Sequence, residues 1–284
     1  MRPEVVERLL SINREFYQSF AIPFRATRGR LQPGVFRALE SVSLEANMLD
    51  LGCAHGLLAE ELEAGDFSGT YVGLDSSQPL LDSVPDHLPP PRYRFALADL
   101  SKEDWPEAAC SLLAEGSAPE QSFSESSILL NDVSEVPGAE QGIANSSVLF
   151  DWAFAFAVLH HLPSSGLRKS TAAAIGSLLR PGGRVAVSVW DFLASPRLRE
   201  RIVPWEIVDL GEKDVDKGDY LVDWREGGSG VRYVHHFTQE ELSELAEDGG
   251  FRVIDDYRSD GENSQLGLYQ IWEIDYQLSR DEVR

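Results

Sequence analysis

Cysteine is nearly absent from this chain. Its 284 residues include two, Cys53 and Cys110, too few for a disulfide framework, so a reducing, cytoplasmic setting is the expectation. Long apolar runs are missing as well. No uninterrupted stretch approaches the ~18 residues of a membrane span, and the opening Met1-Arg2-Pro3-Glu4 lacks the apolar core of a signal peptide. No membrane association is therefore expected. Basic residues are scarce: 47 Asp and Glu stand against 25 Lys and Arg, a formal net charge of −22. From Glu103 to Leu167 there is no Lys or Arg at all. Such a chain repels polyanions at long range, so a nucleic-acid partner would require the few bases to cluster. Metal-ligand spacing is also missing. His160-His161 and His235-His236 are adjacent pairs whose side chains diverge, and no metal site is expected from them.

What is present starts at Met48-Leu49-Asp50-Leu51-Gly52-Cys53-Ala54-His55-Gly56. An apolar run ends in an acid, small residues follow, and Leu57 to Leu62 continue at helical spacing. The pattern predicts a strand, a tight turn and a helix whose first N–H groups face a ligand. Tyr71-Val72-Gly73-Leu74-Asp75 is a second such run. Its acid falls about 20 residues after the turn, the spacing at which a carboxylate accepts from ribose hydroxyls. The plainer role for Asp75, and for Ser76, is capping a short helix.

Further along, Val5, Leu9, Ile12, Phe16 and Phe20 recur at helical spacing, with Pro23 expected to end that helix. Pro33 opens another to about Glu40. Between them, Arg25, Arg28 and Arg30 are either a solvated loop or a clamp for an anion, since guanidinium binds carboxylate bidentately. Strands are expected at about 47–51, 70–75 and 92–97, then in the run beginning at Val148, with Ala155 to Pro163 as the loop beyond it. Arg184 to Trp190 reads as a strand buried on both faces, and 253–257 and 268–274 as a closing hairpin. Residues 110–147 read as an acidic, partly disordered low-complexity insertion, and 191–236 as a long excursion before a helix capped by Thr238.

Leu49-Asp50-Leu51-Gly52-Cys53 with Gly56, Val72-Gly73-Leu74-Asp75 and Leu178-Leu179-Arg180-Pro181-Gly182-Gly183 together resemble the class I S-adenosylmethionine-dependent methyltransferases. The resemblance implies an α/β fold: a doubly wound, mostly parallel, seven-stranded Rossmann-like sheet, with an N-terminal helical lid over 1–45 and the methyltransferase domain over 46–284. It implies S-adenosylmethionine as cofactor, held by Asp50, Gly52, Ala54, Gly56, Asp75, Ser76, Asp99 and Ala155. Asp99 would meet the adenine amino group, or else cap a helix before Glu103. Ala54 replaces the middle glycine of the family turn, and its methyl group is tolerable at negative φ.

A narrower resemblance rests on Asn13-Arg14-Glu15-Phe16-Tyr17, Phe24 with Thr27-Arg28, Ala157 to Leu162, Gly218 to Trp224 and Arg232 to Phe237. These segments look like the tRNA wobble-uridine carboxyl methyltransferases, which methylate the carboxylate of 5-carboxymethyluridine. Asp223-Trp224 stands where that family has Pro-Trp, and Tyr233-Val234 where it has two tyrosines. The resemblance implies tRNA as substrate, a small activating protein as partner, Arg28, His160 and His161 in the substrate pocket as catalytic residues, and Trp224, Arg232, Tyr233 and His235 on its rim. A carboxylate oxygen is already nucleophilic at neutral pH. Orientation would then carry the catalysis, worth about 7–11 kcal/mol in good cases. A hydroxyl substrate would instead need His160 or His161 as general base. Two alternatives stay open: a small-molecule O-methyltransferase, and a non-catalytic cofactor-binding subunit.

Overall fold

The computed structural model describes residues 1–115, 149–261 and 263–275. Alternation along the apolar runs builds the central sheet. In β1 (Asn47–Leu51), Leu49 and Leu51 pack on one face and Met48 on the other. In β2 (Thr70–Asp75), Val72 and Leu74 oppose Tyr71 in the same way. β3 (Tyr93–Leu97), β4 (Phe150–Phe156) and the long β5 (Leu179–Trp190) follow. Three short strands come next, β6 (Ile202–Val203), β7 (Asp219–Trp224) and β8 (Gly230–His235), and then β9 (Phe251–Ser259) and β10 (Gly267–Ile274). The seven-stranded sheet has the order β3-β2-β1-β4-β5-β10-β9, with β10 antiparallel to both neighbours. The chain runs outward from β1 to β3 and then returns beside β1 as β4. That reversal opens a crevice at the carboxyl ends of β1 and β4.

Helices cover both faces. α1 (Pro3–Ser19), α2 (Ala21–Ala26) and α3 (Pro33–Leu39) precede the sheet, and α4 (Leu57–Ala64), α5 (Gln78–Leu81) and α6 (Trp105–Glu115) follow its early strands. α7 (Ser165–Leu178), α8 (Pro196–Arg199) and α9 (Gln239–Asp248) complete the set. α6, α7 and α9 share a core on one face, and α3 and α4 on the other. Thr238 caps α9 by accepting from the Glu241 N–H at 3.1 Å. No described helix is long and apolar enough to cross a membrane.

Four expectations are corrected, and one is extended. Pro23 does not end α1, which stops at Ser19; it sits inside the first turn of α2, where its missing N–H costs nothing. The Pro-Gly-Gly segment lies within β5 rather than ahead of it. Residues 105–115 form a helix that buries Trp105, Ala109 and Leu113, so the insertion starts later than 110; its remainder lies outside the described residues. β4 runs through Phe156, which leaves Ala155 inside the sheet. The 191–236 excursion carries a second sheet, β6-β7-β8.

That second sheet does not stand alone. Val5, Leu9 and Ile12 of α1 share a core with Trp205, Val208, Leu221 and Tyr233. The first helix and the excursion therefore form one cap at the carboxyl edge of the main sheet. Each fully buried side chain of this kind contributes about 1.5–3 kcal/mol.

Candidate functional site

β1 ends in a turn through Gly52 (φ +73°), Ala54 (φ +51°) and Gly56 (φ +78°). A Cβ on Gly52 would lie 2.4 Å from Val158 Cγ2, so glycine is needed there for space as well as for φ. Ala54 adopts the left-handed conformation, contrary to the expected negative φ. Its N–H donates to Asp75 Oδ2 at 2.9 Å, and the Ser77 N–H donates to Asp75 Oδ1 at 2.8 Å. The acid at the end of β2 thus ties down the turn and keeps lone pairs for a ligand. Burial raises the Asp75 carboxyl to about 6, with the N–H groups of Ser77, Ala54 and Ser76 pulling the other way.

This turn forms one end of a cavity of about 600 Å³. Gly52, Ala54, Asp75, Ser76 and Asp99 line that end, with Leu80, Ala98 and Leu100 as apolar walls. Asp99 accepts from the Ser101 N–H at 2.9 Å and from its hydroxyl at 2.7 Å. The donor set fits S-adenosylmethionine: a pinned carboxylate for the ribose, apolar walls for the adenine, and acids near a cationic ligand. Asp50 and Gly56 do not line the cavity. Asp50 is buried beneath the turn and accepts the Tyr71 hydroxyl at 2.5 Å; burial holds its carboxyl up at about 7, against that hydrogen bond. Ala155, fully buried in β4, likewise falls outside it.

The other end is built by the cap and is basic and aromatic. Arg28, Arg197, Arg201 and Arg232 line it, together with Tyr17, Phe24, His161, Trp190 and Trp224. The Arg232 guanidinium lies 4.8, 4.9 and 5.1 Å from the ring centroids of Phe16, Trp190 and Trp224. Its Nε and Nη1 are buried without a hydrogen-bond partner. The Arg28 guanidinium is 5.0 Å from the Phe24 ring and 6.0 Å from Trp190. Among the described residues neither guanidinium has a carboxylate partner; both lie near the phenol of Tyr17, which burial keeps protonated. Burial first, and also Arg232, lowers the Arg28 proton affinity, and both guanidinium groups stay charged at neutral pH.

The two histidines part company. His161 lines the cavity, with Nε2 2.8 Å from the Tyr17 hydroxyl and Nδ1 3.0 Å from the Tyr233 carbonyl. Burial, then Arg232, depresses its pKa to about 3. His160 is fully buried and packs on Trp190, whose backbone N–H donates to His160 Nδ1 at 3.4 Å. It does not reach the cavity, so its expected catalytic place is corrected to a packing one beside His161, 4.3 Å away. Tyr233 and His235 are corrected in the same sense. Both are interior: the Tyr233 hydroxyl donates to Asp219 at 2.7 Å, and His235 bridges Asp219 (2.7 Å) and Glu241 (2.8 Å). Trp224 and Arg232 do face the cavity. Alternation explains the split, since consecutive residues of β8 point to opposite sides.

Sequence reading missed Tyr17 and Asn13 as site residues, although both lay within a quoted segment. Trp190 reads in the sequence only as the end of a strand. His55 also lines the cavity; its place inside the turn gives it no separate mark in the sequence.

The family description for the methyltransferase domain matches residues 24–256. A protein of Encephalitozoon cuniculi named as a methyltransferase is 30% identical over 135 residues, 45% of this chain; the chain spans 59% of that relative's length. Solved structures of other methyltransferases share the fold. The 1,6-didemethyltoxoflavin-N1-methyltransferase of Burkholderia thailandensis, bound to 1,6-didemethyltoxoflavin and S-adenosylhomocysteine, has a TM-score of 0.57 at 17% identity, covering 97% of this chain and 92% of that one. A Haloferax volcanii methyltransferase solved in complex with the Trm112 activator has a TM-score of 0.57 at 13% identity, covering 93% and 97%. Turn, acid, sheet order and family match agree, and the chain belongs to the methyltransferase domain family.

Proposed function

We propose that this chain is an S-adenosylmethionine-dependent methyltransferase whose acceptor is a carboxylate, and that this carboxylate belongs to 5-carboxymethyluridine at the wobble position of tRNA. The cofactor would supply a methyl group activated on a sulfonium. Asp75 would hold its ribose and Asp99 its adenine edge. One observation carries the acceptor class. In a chain of net charge −22, the cavity holds the buried guanidinium of Arg232 and the half-buried one of Arg28 with no carboxylate partner for either among the described residues. A carboxylate substrate supplies the missing charge and accepts from donors of fixed geometry.

His161 argues against the hydroxyl alternative. Both of its ring nitrogens are engaged, and a pKa of about 3 makes it a poor proton acceptor at neutral pH. A substrate that is already ionised needs no such base. The protein's work is then orientation: Arg28 holds one carboxylate oxygen, and the other is free to attack in line. Trp190 and Trp224 hold the Arg232 guanidinium against the cavity wall.

The tRNA reading adds the basic rim of Arg30, Arg197 and Arg201, together with the narrower sequence resemblance. A small activating partner is part of the same proposal, supported by the Haloferax complex. The net charge favours a second reading, a small free acid as acceptor. Mass spectrometry of wobble nucleosides from cells lacking the protein tests the first. Loss of the methyl ester with build-up of free carboxymethyluridine supports tRNA; an unchanged nucleoside profile rejects it. In vitro, turnover of tRNA that falls steeply with salt supports the first reading, and salt-insensitive turnover of a small acid supports the second.

A further inference from the structure

Arg14 sits on α1 one turn after Leu10, and both side chains line the cavity. The Arg14 guanidinium faces Asp99, the acid that follows β3. Its Nη1 lies 3.9 Å from Asp99 Oδ2, within reach of an ion pair and too far for a hydrogen bond. The other side of each group is held by the protein. Arg14 Nη2 donates to Glu7 Oε1 at 2.5 Å, and Asp99 Oδ1 accepts from the N–H and the hydroxyl of Ser101. Among the described residues, Asp99 Oδ2 and Arg14 Nη1 have no hydrogen-bond partner. An acceptor and a donor thus stand side by side in the cavity wall.

That pair matches one purine edge and opposes another. A guanidinium can only donate, and an ionised carboxylate can only accept. Adenine sets its 6-amino donor beside N1, an acceptor. Hypoxanthine sets O6, an acceptor, beside an N1–H donor, which is the reverse order. The sheet decides which edge would arrive there. β2 ends in Asp75, proposed for the ribose, and its outer neighbour β3 leads into Ala98, Asp99 and Leu100. A base directed from β2 toward β3 leads with the edge farthest from its sugar, the one that carries N1 and the 6-substituent.

We infer that Arg14 is a specificity-determining residue for the base of the cofactor: it donates to N1 while Asp99 accepts from the 6-amino group, so that the pair admits adenine and rejects hypoxanthine. The inference rests on the proposed place of adenine at Asp99 and is independent of the acceptor substrate. It makes the first helix part of the donor site. The same helix buries Val5, Leu9 and Ile12 in the core of the cap, so the element that anchors the cap also reads the cofactor.

The test is calorimetry on the full chain with two ligands, S-adenosylhomocysteine and S-inosylhomocysteine, which differ only at that edge. Wild type should bind the adenine ligand ~100-fold more tightly. Arg14→Met keeps the apolar stem and removes the donors. It should weaken the adenine ligand ~10-fold and leave the inosine ligand within ~2-fold, so the preference shrinks to about a tenth of its wild-type value. Arg14→Lys, which restores a donor, should recover part of it. A wild-type protein with no preference, or an Arg14→Met protein that weakens both ligands equally or neither, overturns the inference. Should Arg14→Met fail to fold, the wild-type and Arg14→Lys preferences decide. Asp99→Ala separates this inference from the reading beneath it. Unchanged affinity for S-adenosylhomocysteine there would remove adenine from Asp99 and overturn both, whereas a loss there with none in Arg14→Met would overturn the role of Arg14 alone.

Discussion

The two ends of the cavity are made in different ways. The end at the glycine turn is built largely from backbone, a tight bend and two N–H groups fixed by one carboxylate, all within residues 52–77. The end under the cap is built from side chains that converge from Asn13, Tyr17, Arg28, His161, Trp190 and Arg232. The first is acidic and the second basic. A donor that carries positive charge and an acceptor that carries negative charge would each meet the end of opposite sign. The two ends meet where the Ser77 hydroxyl donates to the Tyr17 carbonyl at 3.1 Å and where Arg14 of α1 lies 3.9 Å from Asp99.

Substitutions at either end should separate these roles. The largest effect is expected at the acidic end. Asp75→Ala removes the proposed acceptor for two ribose hydroxyls and frees the Ala54 N–H, and at about 1.5–3 kcal/mol per charged hydrogen bond cofactor affinity should fall at least ~100-fold by calorimetry. Unchanged affinity would remove Asp75 from the site. At the basic end, Arg28→Ala should reduce kcat/KM for a carboxylate acceptor ~10- to 100-fold and leave S-adenosylhomocysteine affinity within ~2-fold. Equal losses in both measurements would mean that the two ends are not independent.

A pH titration sharpens the same contrast. The Asp75 carboxyl is raised to about 6, and on the proposed assignment its ionised form would accept from both ribose hydroxyls. Cofactor affinity should therefore decline as pH falls through about 6, by up to ~10-fold per unit. The ligand-free protein should respond in the opposite sense. A carboxyl whose folded pKa lies above its unfolded value near ~3.9 favours the fold at low pH, and that contribution is lost as pH rises through about 6. Parallel curves for binding and stability would contradict the assignment.

The smallest effect is expected in the cap. Burial would lower the His235 pKa, but hydrogen bonds to Asp219 and Glu241 outweigh it and raise the pKa above the usual ~6.5. The imidazolium stabilises the fold fully below that unfolded value, and the contribution is lost as pH rises through the folded one. The Tm difference between wild type and His235→Gln should shrink as pH rises through and above neutrality. A difference that grows with pH would show that the neutral ring is the stabilising form.

Legibility followed the same division. The strands from Asn47 to Leu97 and the closing pair were readable because period-two alternation and the Gly52-to-Asp75 spacing are local signals. Thr238 was readable as a cap for the same reason. β6, β7 and β8 were not, since two to six residues of mixed polarity show no period until α1 supplies their apolar partner. The histidines misled because adjacency in sequence says nothing about which ring faces inward: His160 is buried at 0% exposure, whereas His161 reaches the cavity. Tyr17 and Asn13 carried no local mark as site residues, because their partners lie 144 and 220 positions away.

The most direct test of the account is a choice of acceptor. Offered the same nucleoside arm as a carboxylate and as its neutral amide, with labelled S-adenosylmethionine, the protein should place a base-labile methyl ester on the acid and leave the amide unmethylated. Comparable turnover of the amide, or a base-stable methyl group on oxygen or nitrogen elsewhere, would contradict the reading of the arginine-lined end as a carboxylate site.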